Sequence, residues 1–168
     1  ADVASRQAEL AADTERLHSQ AWRRTLADVG ITVTEAEFTE HWTRRGGGIL
    51  DYVEGQALAL DADALRRRKA DLYRALVESS ARAMPGALAL LRALHGHKRL
   101  ALATSSYLES AEAVLERIAI GHFFEVIATR ESTARHKPHP DVFLHVAARL
   151  GVSPAERLVL EDAEKGVL

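Results

Sequence analysis

Leu100-Ala-Leu-Ala-Thr104-Ser105-Ser106, followed by His136-Lys137-Pro138-His139-Pro140-Asp141 and Arg157-Leu-Val-Leu-Glu161-Asp162, is the part of the sequence that decides the fold. The first and third are short apolar runs that break abruptly into polar residues, the pattern of a buried parallel strand delivering side chains to the carboxyl edge of a sheet. The second sets a lone Lys before a Pro. A hydroxyl, an ammonium and paired carboxylates gathered at one sheet edge are the parts needed to hold a phosphoryl group and a divalent cation.

Outward from these runs, the spacing predicts helices over 87–94, 108–118 and 140–150, the last stopped by Gly151. Strands are expected over 99–104, 124–129 and 157–161. Short apolar runs alternating with helices of about ten residues argue for βαβ units in an α/β, Rossmann-like, doubly wound parallel sheet. Met84-Pro85-Gly86 marks the near boundary of that sheet domain.

Upstream lies a helical block. Leu17, Ala21, Leu26 and Val29 recur at helical spacing and Gly30 ends the run. Thr34-Glu-Ala-Glu37 has the form of a capping box opening a helix to Arg44. Two more helices are expected over 49–60 and 63–83, the last capped by Asp61 or Asp63. The domains expected are therefore a core of residues 1–13 and 84–168 and an α-helical insertion of residues 14–83. Residues 1–12 read as helix or fraying chain, because they lack a β-branched run.

Composition narrows the classes. The 168 residues carry a net charge of −2, 47% hydrophobic and 27% charged residues and no Cys. No basic run suggests nucleic acid or an anionic membrane surface, and neither is expected as a partner. The lack of Cys excludes disulfides, a zinc–thiolate site and a thiol nucleophile. No apolar span suits a membrane helix and no signal segment is evident, so a cytoplasmic protein is expected.

Each candidate residue has a plain alternative. Ser105 and Ser106, where a helix should begin, suit a phosphate, or one of them simply caps the helix. Lys137 alone would read as a solvated lysine. Glu161 and Asp162 repel one another unless a cation or proton intervenes. Arg44 and Arg45, before three glycines, offer guanidinium groups to an anionic substrate from a turn, or are merely solvated. His95, His97, His136 and His139 read as surface residues, and Trp22, Trp42 and Tyr73 as packing.

Taken in order, Met84-Pro-Gly-Ala-Leu-Ala-Leu-Leu, Leu100-Ala-Leu-Ala-Thr-Ser-Ser, Lys137-Pro-His-Pro-Asp-Val-Phe, Leu150-Gly-Val-Ser-Pro and Leu158-Val-Leu-Glu-Asp-Ala-Glu-Lys-Gly-Val resemble the haloacid dehalogenase-like hydrolase superfamily. The similarity is to its helical-cap branch, which contains β-phosphoglucomutase and phosphoglycolate-phosphatase-like enzymes. Asp13-Thr-Glu-Arg-Leu-His-Ser-Gln-Ala-Trp22 resembles the start of that cap, and Lys69-x-x-x-Tyr73 its later helix. The resemblance implies a Mg²⁺-dependent phosphatase acting on a small phosphorylated metabolite. Thr104 would then hydrogen-bond the transferring phosphoryl group, Lys137 would neutralise its charge, and Glu161 and Asp162 would hold Mg²⁺. A sugar-phosphate mutase, or a catalytically dead binding scaffold on the same fold, is the alternative.

One departure from the family changes the expectation for activity. The family places the nucleophile and the general acid/base in Asp-x-Asp on the first core strand, where an ungapped alignment puts Arg6 and Ala8. Arg6 cannot form an acyl phosphate and Ala8 cannot shuttle a proton. The favoured expectation is an active enzyme's chain with its first strand lost or replaced and its end cut shortly after Gly166-Val167; the other is a pseudoenzyme. Either way little or no turnover is expected. A receiver-like signalling domain also uses Thr or Ser with Lys-Pro, but its carboxylates come early and its chain ends soon after Lys-Pro, so the order here favours the hydrolase.

Overall fold

The computed structural model describes Ala12, residues 14–56, residues 58–153, Ala155 and residues 158–160. The chain divides into two compact units, one of Thr14–Ser80 and one of Ala81–Leu168 together with Ala1–Asp13.

The first unit is helical. Helix α1 (Glu15–Ala27) buries Leu17, Ala21, Trp22, Thr25 and Leu26 along one face and ends at a turn in which Gly30 takes a positive φ of 81°. Helix α2 (Glu35–Phe38) starts with the expected capping box: Thr34 Oγ1 accepts from the Glu37 N–H at 3.2 Å, and Glu37 Oε2 accepts from the Thr34 N–H at 2.8 Å. It runs on as a π-helical turn over Thr39–Arg44 rather than as the single α-helix the spacing predicts. Helix α3 (Ile49–Gly55) stops well short of the expected residue 60. Leu58 and Leu60 instead pack as irregular chain against the cluster of Trp22, Leu26, Val33, Phe38, Ile49, Val53 and Leu65. Burial of apolar surface outweighs helix continuation there. Asp61 caps α4 (Ala62–Ser80), its Oδ1 accepting from the N–H groups of Asp63 and Ala64 at 2.9 and 3.0 Å. Ala62, Leu65, Lys69, Tyr73 and Val77 form the buried stripe of α4, which packs beside α1.

The second unit is α/β. Helix α5 (Ala87–Leu94) follows a turn at Gly86, whose φ of 85° Pro85-Gly86 can supply. Strand β1 (Ala101–Ala103) pairs in parallel with β2 (Val126–Ala128), Leu102 opposite Ile127. Helix α6 (Leu108–Arg117) connects them, and α7 (Asp141–Leu150) follows β2. The two-residue alternation of a strand sends neighbours to opposite faces. Ala101, Ala103, Val126 and Ala128 meet Val142, Val146 and Leu150 of α7. Leu100 and Leu102 meet Leu88 and Leu91 of α5 and Leu115 of α6. Helices thus cover both faces, the doubly wound arrangement. Gly151, at φ 66°, closes α7, with Val152 N–H bonding back to the Ala147 carbonyl at 3.1 Å.

The strand expected over 157–161 is a correction where it can be followed. Leu158–Leu160 are not in a strand, and Leu158 is 85% exposed. A strand persists only where its N–H and C=O groups find a ladder, and among the described residues no strand flanks β1 on the side away from β2. The helical reading of residues 1–12 lies outside the described residues except at Ala12, which is buried and forms an isolated antiparallel bridge with Ala83.

Candidate active site

The site is built at the carboxyl end of β1. Thr104 N–H donates to the Ala128 carbonyl at 2.9 Å, carrying the ladder one residue past the strand before the chain turns away. Thr104 Oγ1 then accepts from the Ser106 N–H at 3.1 Å. That hydrogen bond uses a lone pair of the hydroxyl and does not consume its own hydrogen as a donor. Ser106 in turn accepts at its carbonyl from the Arg130 N–H at 2.9 Å, joining this loop to the one after β2.

Lys137 arrives from the segment after β2. Its Nζ donates to the Ala103 carbonyl at 3.3 Å and stands 5.0 Å from the Phe143 ring centre. The structure therefore brings the ammonium of Lys137 to the residue preceding Thr104, although the two are far apart in sequence. The Lys137–Pro138 peptide is cis. Arg135 grips Asp141 through two hydrogen bonds of 2.9 and 2.8 Å, tying the lysine's segment to the start of α7. The Arg135 hydrogen bond holds the Asp141 carboxyl below its usual range.

Neither Ser105 nor Ser106 caps α6. Tyr107 occupies the cap position without a side-chain hydrogen bond, and the Leu108 N–H donates to both Glu131 carboxylate oxygens at 3.2 and 3.1 Å. A carboxylate from the next loop thus serves the positive end of the helix. Burial pushes the Glu131 carboxyl up, but hydrogen bonds from Thr129 and from backbone N–H groups, with Arg130 nearby, hold it below its usual value. His136, half-buried, is pushed down by burial and then by Arg130.

In the helical unit Arg44 and Arg45 share one carboxylate: Arg45 Nε lies 2.8 Å and Arg44 Nη1 3.5 Å from Glu40. Their side chains are 66% and 71% exposed. Two guanidinium groups against one carboxylate leave a net positive charge beside a glycine turn. In that turn Gly47 lies against His41, whose Nε2 is 3.0 Å from the Gly48 carbonyl oxygen.

The family description "haloacid dehalogenase-like hydrolase" matches residues 9–168. The chain belongs to the haloacid dehalogenase-like hydrolases. It is 31% identical to the fructose-1-phosphate phosphatase YqaB of Escherichia coli K12, over 92% of this chain and 82% of that one. With the β-phosphoglucomutase of Bacillus subtilis it shares 30% identity over 92% of this chain and 72% of the other. The crystal structure of CbbY from Rhodobacter sphaeroides in complex with phosphate superposes with a TM-score of 0.85 at 26% identity, covering 96% of this chain and 77% of that one.

Within this hydrolase fold the expected carboxylates, Glu161 and Asp162, and the positions Arg6 and Ala8 lie outside the described residues. Among the described residues no three His, Asp or Glu side chains converge on a cation position. They do not by themselves make a magnesium site.

Sequence reading missed the buried charge in the helical unit. Lys69 is only 8% exposed, its Nζ 2.8 Å from His18 Nδ1 and 4.4 Å from the centre of the Tyr73 ring. The His18 ring stacks on Tyr73 at 4.0 Å. Burial first, and the Lys69 charge second, press the His18 imidazole well below its ordinary value and keep it neutral. The signal was available: a cation on the stripe of Leu65, Tyr73 and Val77 must either find a partner or not be buried. The other histidines named above do lie at the surface, His95, His97 and His139 exposed and His136 partly so. Trp22, Trp42 and Tyr73 are packed among other rings.

Proposed function

We propose that this chain carries the phosphoryl-binding apparatus of a phosphatase for small phosphorylated sugars. The observation that supports this most is Lys137 Nζ on the Ala103 carbonyl, one residue from the Thr104 hydroxyl. Together they put an ammonium and a hydroxyl with a donor hydrogen at one edge, which suits a phosphoryl group carrying two negative charges. Thr104 would hydrogen-bond a phosphoryl oxygen, and Lys137 would offset the charge that grows as the bond to the leaving oxygen breaks. Ser105, in the same half-buried loop, would add a hydroxyl to the substrate. Arg44 and Arg45 would meet the polar body of the sugar phosphate.

Glu161 and Asp162 are the residues we assign to Mg²⁺, which in such a site supplies Lewis-acid stabilisation of phosphoryl oxygens. The phosphatase and carbohydrate-phosphate names of the relatives support a sugar phosphate as substrate; the likeness to β-phosphoglucomutase keeps a mutase as the second reading. With Arg6 and Ala8 in place of the aspartates, the chain should release little or no phosphate.

The test is a variant carrying the family's first strand with Asp at both positions (Arg6→Asp, Ala8→Asp in their strand context), assayed with fructose-1-phosphate, glucose-1-phosphate and an aryl phosphate in Mg²⁺. Phosphate release well above the parent is expected. A variant that folds by circular dichroism, binds Mg²⁺ and still releases no phosphate from any of the three, nor isomerises the glucose ester, overturns the enzyme reading.

A further inference from the structure

At the opposite, amino ends of β1 and β2 lies a cavity of about 360 Å³, lined among others by His95, His97, Lys98, Arg99, His122 and Glu125 together with Phe123 and Phe124. It belongs wholly to the α/β unit, and the Thr104 hydroxyl and Lys137 stand at the far ends of the same strands. The local sequence builds it. The chain leaves α5 through His95-Gly96-His97-Lys98, turning at Gly96 with φ 80° so that His95 and Lys98 bridge, while the short 3₁₀ turn Gly121–Phe123 brings His122 alongside. The rings of His95 and His122 are 6.4 Å apart, and His122 lies 4.1 Å from Phe123, tilted across it.

The charges in this cavity do not cancel. Glu125 is taken by Arg99 in a two-point ion pair of 2.7 and 2.9 Å, and Arg99 also donates to the Leu150 carbonyl. Lys98 has no ion-pair partner among the described residues. Counting Lys98 and Arg99 against Glu125 leaves one positive charge with neutral imidazoles. An anion bound among them would favour the charged form of the three imidazoles, so its binding and their protonation support one another. No carboxylate other than Glu125 lines the walls. Nitrogen donors lining one cavity from two backbone segments, 95–99 and 122–125, suit an anion with several oxygens better than a single carboxylate.

We propose that this cavity is a second anion site, which takes a phosphate-bearing small molecule and tightens as its histidines become protonated. Phe123 and Phe124, which also line the cavity, would offer apolar contact to the body of such a ligand beyond its phosphate. The site is independent of the catalytic reading, because none of its residues takes part at the Thr104 edge.

Sulfate is the probe, since it keeps its double charge across the working pH range and so isolates the titration of the protein. Histidine ring protons are followed by NMR in the full chain as sulfate is added at pH 6 and at pH 8. The expected result is saturable shifts of the His95, His97 and His122 signals, with a dissociation constant roughly tenfold or more lower at pH 6 than at pH 8. Lys98→Ala should weaken binding at both pH values, whereas His97→Gln should shrink the ratio between them. The proposal is overturned if chloride at matched ionic strength moves the same signals equally, if affinity is the same at both pH values, or if the three rings instead take up Zn²⁺ stoichiometrically and ignore sulfate.

Discussion

Acidification should destabilise the helical unit through one buried imidazole, and the size of the effect follows from its surroundings. His18 keeps part of its residue surface in solvent, yet its ring is stacked on Tyr73 at 4.0 Å with the Lys69 ammonium 2.8 Å from Nδ1. Burial of the ring first, and the Lys69 ammonium at hydrogen-bond distance second, oppose a proton there, so the folded-state pKa lies well below the ordinary value of 6.5. Above that value neither the folded nor the unfolded chain carries the proton and the contribution to stability is complete. As pH falls below it the unfolded chain binds a proton that the folded chain refuses, and stability is lost down to the folded pKa. Each pH unit in that window costs at most about 1.4 kcal/mol, so about pH 5 the loss reaches up to about 2 kcal/mol. Both tryptophans, Trp22 and Trp42, lie in this unit, so urea unfolding followed by tryptophan fluorescence reads it selectively. His18→Gln should abolish most of the dependence between about pH 7 and pH 5, and Lys69→Met should make the parent slope shallower. If His18→Gln loses stability across that window as steeply as the parent, the reasoning fails. The carboxylates held below their usual values by their partners, Glu37 and Asp61 among them, titrate lower and do not confuse the result.

Gly47→Ala should destabilise the helical unit by about 1–3 kcal/mol, because its Cβ would stand 2.6 Å from His41 Nε2 and 3.0 Å from the His41 carbonyl oxygen, and that backbone atom cannot swing aside. Gly55→Ala meets nothing within 4 Å at the end of α3 and should stabilise by about 0.5–1 kcal/mol; equal melting shifts for the two variants would refute this account. Lys137→Ala should weaken inorganic phosphate binding at the carboxyl edge roughly tenfold or more, read from the Thr104 and Ser106 amide signals, and unchanged affinity there would remove Lys137 from the phosphoryl site.

Much of the local structure was legible because it is set by short-range chemistry. The Thr34–Glu37 capping box, the stop at Gly30 and the closure of α7 at Gly151 each depend on residues within one or two turns, and each occurs as the sequence predicts. The α/β class was legible from apolar runs alternating with amphipathic helices. What failed were elements whose fate rests on distant partners. Leu158–Leu160 have the composition of a strand but no ladder to join among the described residues, and the expected serine cap of α6 gave way to Glu131 from the loop after β2.

The sequence by itself determined the family, through the order of the motifs around Thr104, Lys137 and Glu161-Asp162. That is a matter of residue identity, which no packing can alter. Only the tertiary structure decided that Lys137 reaches the carbonyl beside Thr104, that Lys69 and His18 share a buried contact, and that three histidines and Lys98 surround one cavity. Each joins residues from separate segments, and the distances between them come from which helix face packs on which strand, a global property that no local window of sequence contains.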